Sequence, residues 1–82
     1  MSRYRVQYAN EARDALSKLS DGQRRSLERD VESSIGNDPY GCGSSPVKGN
    51  RDRRDVTVSG VFLRYEVSNA VLVVSVLRAQ TF

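Results

Sequence analysis

The sequence predicts a single α+β domain over residues 1–82, in which a four-stranded antiparallel sheet carries a helical hairpin on one face. Three observations predict this fold. β-Branched and aromatic residues cluster in three runs at the C-terminal end, separated by short turn signals. Two earlier stretches carry apolar residues at helical spacing, and a short alternating stretch precedes them. The predicted order of elements is therefore β-α-α-β-β-β.

The first two elements are predicted from residues 4–19. Tyr4, Val6 and Tyr8 alternate with polar residues, which is typical of a strand with one buried face. Asn10 is a favourable N-cap for the helix that follows. The apolar stripe of that helix consists of Ala12, Ala15, Leu16 and Leu19.

A second helix begins after a very short turn. Ser20 and Gln23 have the spacing of a capping box, in which each side chain bonds the backbone N–H of the other residue. Its apolar stripe is Leu27, Val31 and Ile35, and Gly36 is placed to end it. Both stripes are narrow, so we expect each helix to pack against the sheet.

Three strands are predicted over residues 56–58, 61–67 and 71–77, with turns at 59–60 and 68–69. The middle strand alternates. Its residues Val61, Leu63, Tyr65 and Val67 are predicted to face the helices. Phe62, Arg64 and Glu66 are then predicted to lie on the open side of the sheet.

Residues 37–50 are predicted to form a long irregular loop, because they contain two prolines and three glycines. Such a loop is either functional or a plain crossover to the sheet, and the sequence favours neither. Cys42 lies in this loop with no base beside it, so we interpret it as an incidental thiol.

The composition excludes several kinds of chemistry. The chain has no histidine and one cysteine, which excludes Ser-His and Cys-His nucleophilic pairs and zinc sites built from histidine or several thiolates. We predict no cofactor and no metal site. Neither an apolar segment of membrane length nor a signal peptide is visible, and a lone cysteine suits a reducing compartment, so we expect a cytoplasmic protein with no membrane partner.

Positive charge is concentrated in the second half of the chain. The formal net charge is +3, and residues 48–82 account for all of it, with six basic and three acidic side chains. A one-sided basic surface attracts a polyanion or an acidic protein, but it also keeps a small domain soluble. Arg64 lies at the centre of this region, next to Arg53 or Arg54 of the neighbouring strand. It is either a binding residue or an ion-pair partner of Glu66 or Asp55.

The order of elements, the Tyr-Arg-Val opening and the arginine-rich C-terminal strands resemble the RelE/ParE toxin superfamily, and within it the YoeB/Txe branch. The resemblance covers nearly the whole chain. Its motifs are the Pro- and Gly-rich loop over residues 38–50, the strand Phe-Leu-Arg-Tyr-Glu-Val over 62–67, and the ending Leu-Arg-Ala-Gln-Thr-Phe over 77–82.

The resemblance implies the toxin of a bacterial toxin–antitoxin pair, silenced by a cognate antitoxin. RelE-like and YoeB-like members cut mRNA in the ribosomal A site without a metal, whereas ParE-like members poison DNA gyrase. In the cleaving members, an arginine on the middle strand stabilises the scissile phosphate. A loop glutamate acts as the base, and a C-terminal histidine and tyrosine assist proton transfer.

This sequence departs from that pattern at several positions. Phe62 occupies the position of the middle-strand arginine, and Arg64 lies two residues further on, on the same strand face. The loop glutamate has no counterpart. Gln80 falls near the histidine position, Thr81 or Phe82 falls near the tyrosine position, and Arg78 matches the terminal arginine.

Three hypotheses follow from the resemblance. The first is a ribosome-dependent mRNA endonuclease, in which Arg64 and Arg78 stabilise phosphate and Asp55, Glu66 or Gln80 assist proton transfer. Its RNA-binding residues are expected to be Lys48, Arg51, Arg53 and Arg54. The second is a gyrase inhibitor that acts by protein binding, and the third is a protein that binds only its antitoxin.

Overall fold

The structure is a computed structural model that describes residues 3–81. Two helices and five strands follow one another along the chain. They are β1 (Arg5–Tyr8), α1 (Asn10–Leu16), α2 (Asp21–Ser34), β2 (Ser45–Val47), β3 (Asn50–Val58), β4 (Val61–Ser68) and β5 (Val73–Thr81). The α+β class and the two helices are confirmed, whereas the predicted order β-α-α-β-β-β lacks one of the observed strands.

The strands form one mixed sheet in the order β1-β5-β4-β3-β2. The predicted four-stranded antiparallel sheet is therefore wrong in two respects. A fifth strand, β2, extends one edge, and β1 at the other edge runs parallel to β5. The chain between β1 and β5 contains both helices and three strands, and a connection of that length allows parallel pairing as readily as antiparallel pairing.

The extra strand lies inside the segment that was predicted to be an irregular loop. β2 pairs antiparallel with β3 through a two-residue turn at Lys48 and Gly49, whose φ angles are 50° and 78°. Positive φ at both central residues is the geometry of a tight hairpin turn. Pro46 is tolerated because β2 is an edge strand, where a missing N–H removes no ladder bond that the sheet needs.

Two other strand boundaries differ from the prediction. β3 begins at Asn50 instead of residue 56, although its arginines and aspartates are poor strand formers. β5 covers Val73–Thr81 instead of residues 71–77, because the chain turns over residues 69–72 with Leu72 at a φ of 52°. The turn at Ser59 and Gly60 is confirmed, with φ angles of 51° and 79°.

The helices begin close to where they were predicted. The N-cap of α1 is Ala9, and Asn10 is the first helical residue. α1 ends at Leu16, so Leu19 packs against the core from the connecting turn. The predicted capping box of α2 is present. The Ser20 hydroxyl accepts from the backbone N–H of Gln23 at 3.2 Å, and the side-chain oxygen Oε1 of Gln23 accepts from the backbone N–H of Ser20 at 3.1 Å.

The core lies between the helices and one face of the sheet. Leu16, Leu27, Val31 and Ile35 are buried against the sheet residues Leu63, Tyr65, Val74 and Val76. All four predicted core residues of the middle strand are buried, so its predicted register is confirmed. No helix within residues 3–81 has the length and apolar character needed to cross a membrane.

Candidate functional site

The sheet surface opposite the helices, which we call the open face, carries at its centre mostly polar side chains and one phenylalanine. Antiparallel partners share a face, so the strand register arranges these residues in three rows. The central row is Ser45, Asp55, Arg64 and Arg78. The rows beside it are Thr57, Phe62 and Gln80 on one side, and Arg53, Glu66, Ser75 and Gln7 on the other.

A β-bulge directs Arg78 onto this face. Arg64 pairs with Arg78, but the next residue, Tyr65, pairs with Val76, which leaves Leu77 as an extra residue in β5. Val76 is buried, and strict alternation would place Arg78 on the same face. The bulge reverses the alternation, so that Arg78 is exposed and Ala79 enters the core. The two arginines of the central row therefore lie directly opposite each other on adjacent strands.

Arg64 forms a two-pronged ion pair with Asp55. Its Nε donates to Oδ1 at 2.8 Å and its Nη2 donates to Oδ2 at 3.0 Å. Both side chains are half-buried. The hydrogen bond and the charge of Asp55 raise the pKa of Arg64, so the guanidinium is charged at every physiological pH. The ion-pair alternative for Arg64 is thus observed with Asp55, and the same geometry presents a rigid guanidinium beside Arg78.

The other charges of the open face are unevenly paired. Arg53 Nη2 lies 3.0 Å from Glu66 Oε2 in the neighbouring row. Arg78 is exposed and forms no ion pair with a carboxylate of residues 3–81. Within the three rows, three arginines and two carboxylates leave one excess positive charge, and Arg78 carries it.

The predicted site residues at the end of β5 are separated by strand alternation. Gln80 is exposed on the open face and pairs with Phe62. Thr81 pairs with the core residue Val61 and so lies on the opposite face. Phe82, which was placed near the tyrosine position of the resemblance, lies outside the described residues.

Arg54 is not on the open face, in contrast to its predicted position beside Arg64. Its side chain is 8% exposed and pairs across the sheet with Tyr65 on the core side. Arg54 Nε donates to Ser44 Oγ at 2.7 Å, and its other nitrogens donate to the carbonyl oxygens of Arg51 and Ser44. A guanidinium that is buried and hydrogen-bonded through all three nitrogens anchors the 37–44 loop to β3 and is not available to a ligand.

Lys48 and Arg51 also lie away from the central row. Lys48 is exposed at the tip of the β2–β3 turn. Arg51 is exposed and lies over the ring of Tyr40, with its guanidinium carbon 5.0 Å from the ring centre. Of the four predicted RNA-binding residues, the structure therefore brings only Arg53 next to Arg64 and Arg78.

A hydrogen-bonded chain of side chains fixes the 37–44 loop at the end of the sheet. The Tyr4 hydroxyl donates to Asn69 Oδ1 at 2.6 Å, Asn69 Nδ2 donates to the Tyr40 hydroxyl at 2.7 Å, and that hydroxyl donates to Asp52 Oδ1 at 2.7 Å. Desolvation and the bond to Asp52 raise the pKa of Tyr40, which keeps its hydroxyl protonated as a donor. No sequence pattern indicated this series of hydrogen bonds, because its four residues come from distant segments.

Cys42 belongs to the same loop and has a packing role. Its sulfur lies 3.6 Å from the Tyr65 hydroxyl, which donates to the carbonyl oxygen of Pro39. Burial raises the pKa of Tyr65. Within residues 3–81, no three histidine, cysteine, aspartate or glutamate side chains are grouped closely enough to hold a metal ion.

Several solved structures of RelE toxins, alone or in complexes with antitoxins, are similar in fold to this chain. A RelBE toxin–antitoxin complex from Mycobacterium tuberculosis matches with a TM-score of 0.83 at 18% identity, over 100% of this chain and 94% of that chain. The intact RelBE complex of Escherichia coli matches with a TM-score of 0.74 at 21% identity, over 96% of each chain. The chain has the fold of the RelE toxins.

The likeness extends across domains of life. The archaeal RelE–RelB complex from Pyrococcus horikoshii has a TM-score of 0.70 at 16% identity and covers 96% of this chain and 94% of that chain. No protein-family profile and no curated protein matches the sequence. The fold that the resemblance implied is thus confirmed in its RelE form, while the YoeB/Txe branch is not distinguished by these comparisons.

Proposed function

We propose that this chain is the toxin of a type II toxin–antitoxin pair and that it inhibits translation as a ribosome-dependent mRNA endonuclease. The observation that carries the proposal is the pair of arginines, Arg64 and Arg78, held opposite each other on the open face of a RelE fold. Strands hold these side chains more rigidly than loops do, and two adjacent guanidiniums suit a phosphodiester and its more negative transition state.

The proposed chemistry uses the RNA as its own nucleophile. The 2′-hydroxyl gives up its proton to a base as its oxygen attacks the adjacent phosphorus. The bond from phosphorus to the 5′-oxygen breaks, a 2′,3′-cyclic phosphate forms, and the 5′-oxygen takes up a proton from water or from the protonated base and leaves as a hydroxyl. Arg64 and Arg78 stabilise the charge that develops on the non-bridging oxygens. Asp55 occupies the Nε and Nη2 edge of Arg64 in this structure, so we propose that the substrate phosphate displaces that carboxylate from this edge when it binds.

Asp55, Glu66 and Gln80 are the proposed assistants of proton transfer, and their positions differ. Asp55 contacts Arg64 directly, so once displaced by phosphate its carboxylate lies beside the reacting group and suits the role of base. Glu66 is one row away and is paired with Arg53. Gln80 is an amide that neither gains nor loses a proton near neutral pH, so we assign it hydrogen bonding to the substrate.

The remaining basic residues are proposed to hold the RNA strand outside the reaction centre. Arg53 extends the open face beyond Glu66, and Arg51 and Lys48 continue the positive charge toward the β2–β3 turn. Arg54 orients the loop beneath them and does not touch RNA, because it is buried. Such phosphate contacts favour binding at low salt and are independent of sequence.

A cognate antitoxin is the proposed protein partner, and the protein is proposed to act in the cytoplasm. The structures with a matching fold include toxins bound to RelB antitoxins. We expect an acidic antitoxin segment that folds as it covers the open face, since an exposed arginine row attracts acidic side chains. The narrower likeness to the YoeB/Txe branch also stays a proposal, which rests on the motifs of the loop and of β4.

Gyrase inhibition is the alternative, but the matched structures are RelE toxins and give it no support. Induced expression in bacteria, with mapping of mRNA ends and measurement of plasmid supercoiling in the same cells, separates the two. The proposal expects new mRNA ends within codons and unchanged supercoiling. Altered supercoiling with intact mRNA would favour gyrase, and normal growth with neither change would favour a protein that binds only its antitoxin.

A further inference from the structure

Phe62 is an aromatic side chain on the solvent side of the sheet. It is half-buried, and it is not among the residues that form the core or pack against it. Its row partners are Thr57 and Gln80, and it precedes Arg64 by two positions on β4. Within residues 3–81 it is the only aromatic residue in the three rows of the open face, so packing of the fold does not account for it.

The position of Phe62 relative to the arginines suits a nucleotide. Residues two apart on a strand present side chains on the same face, about 7 Å apart along the strand. A single-stranded RNA whose phosphate contacts Arg64 and Arg78 therefore has a neighbouring base within reach of the Phe62 ring. Unpaired bases commonly stack on aromatic side chains in this way, beside arginines that hold the backbone.

We propose that Phe62 is a nucleobase-stacking residue that positions the RNA for Arg64 and Arg78. The inference rests on the proposed function and adds a contact to a base next to the bound phosphate. A nucleobase is favoured over an apolar protein side chain because the ring is surrounded by hydrogen-bonding and charged groups. An apolar anchor would leave Thr57, Gln80 and Arg64 facing an apolar surface, whereas a base offers them polar edges.

The sequence contains no tryptophan, so Phe62→Trp introduces a single fluorescent reporter at the proposed contact. The probe is a single-stranded RNA oligonucleotide at low ionic strength, and the control is an abasic oligonucleotide of the same length. We expect the RNA to quench the tryptophan emission with the same dissociation constant that anisotropy of labelled RNA gives. The abasic oligonucleotide is expected to bind without quenching, since it supplies phosphates but no ring.

Phe62→Leu removes the ring but keeps an apolar side chain, and Phe62→Tyr keeps the ring. We expect Phe62→Leu to weaken RNA binding by about 5- to 150-fold, the range of one stacked base. Phe62→Tyr is expected to stay near the parent affinity, and all variants should bind the abasic oligonucleotide equally. Melting temperatures show that each variant is folded.

The outcomes separate this proposal from the proposed function. Tight RNA binding by Phe62→Leu, or unchanged emission from a saturated Phe62→Trp, would overturn stacking and leave an arginine-based RNA site intact. Cleavage by the same variants on mRNA-programmed ribosomes tests the function itself. If the parent protein cleaves no mRNA there but its RNA binding depends on the ring, the nuclease proposal fails and the stacking proposal stands. If the parent protein binds neither the single-stranded RNA nor the abasic oligonucleotide, the stacking proposal is overturned.

Discussion

At the residue scale, Arg64 combines a structural and a proposed catalytic role. Its fork is filled by Asp55, which fixes the guanidinium in one orientation. The pair is half-exposed, and exposed ion pairs contribute only about 0–1 kcal/mol to the free energy of unfolding. An ion pair with a purely structural role would therefore contribute little stability. The position of Arg64 in the central row of the open face fits a binding role better.

Arg64→Ala is expected to lower mRNA cleavage by about 10- to 1000-fold, because one preorganised donor to the transition state is lost. Arg64→Lys should restore cleavage only in part, since an ammonium cannot form a two-pronged contact with phosphate. Cleavage rates and melting temperatures of both variants provide the measurement. A lower melting temperature with a normal cleavage rate would assign Arg64 to the ion pair alone.

The Asp55→Asn variant is expected to change RNA binding and RNA cleavage in opposite directions. Loss of this carboxylate leaves the Arg64 fork open to phosphate, so RNA should bind more tightly. Cleavage at saturating RNA should fall by about 10²- to 10⁴-fold if Asp55 accepts the proton. Glu66→Gln removes the same charge one row away and should cost less cleavage. An Asp55→Asn protein that cleaves faster than the parent would show that Asp55 only blocks the site.

At the element scale, the bulge in β5 decides which residues form the site. If Leu77 paired regularly with Arg64 and no bulge formed, Arg78 would point at the core and Ala79 at solvent. The sequence carries no sign of this bulge, because Leu77 is not a glycine and the predicted strand ended at that residue. The register of the middle strand β4, by contrast, was predictable. Its core-facing residues are all apolar, whereas the alternate positions include the charged residues Arg64 and Glu66.

The start of α2 offers a test of a local prediction from sequence. Ser20→Ala removes the side-chain acceptor of the capping box and should lower the free energy of unfolding by about 1 kcal/mol. For a domain of this size, that corresponds to a fall in melting temperature of about 4–8 °C. Ser33→Ala is the matched control, because the Ser33 hydroxyl only donates to a carbonyl oxygen of its own helix. Equal stability of the two variants would mean that the box contributes nothing.

In the whole molecule, the helices form the core with one face of the sheet, and the opposite face carries the candidate site. The helices bury one sheet face, and their only sequence requirement is an apolar stripe at helical spacing. That requirement made the layers of the fold predictable. The direction of β1 was not predictable, because the long connection to β5 does not fix it. The strand β2 was not predicted, because its proline and the neighbouring glycines are typical of a loop.

The candidate site was predictable only as a set of residue types. Arg64 and Glu66 follow from alternation in β4, but the burial of Arg54 depends on the hydroxyl and the carbonyl oxygen of Ser44. Likewise, the chain from Tyr4 to Asp52 joins residues that no local pattern connects. Long-range polar contacts of this kind become visible only once the strands are in register.

The proposed function assigns mRNA cleavage on the ribosome to the open face, through Arg64 and Arg78. The most direct measurement compares cleavage of mRNA on programmed ribosomes by the parent protein, by the Arg64→Ala/Arg78→Ala double variant, and by Arg25→Ala. Arg25 is exposed on α2, on the other side of the molecule from the open face, and serves as the control for lost charge. We predict cleavage by the parent and by Arg25→Ala, and none by the folded double variant. Undiminished cleavage by the double variant would contradict an arginine-based site on this face.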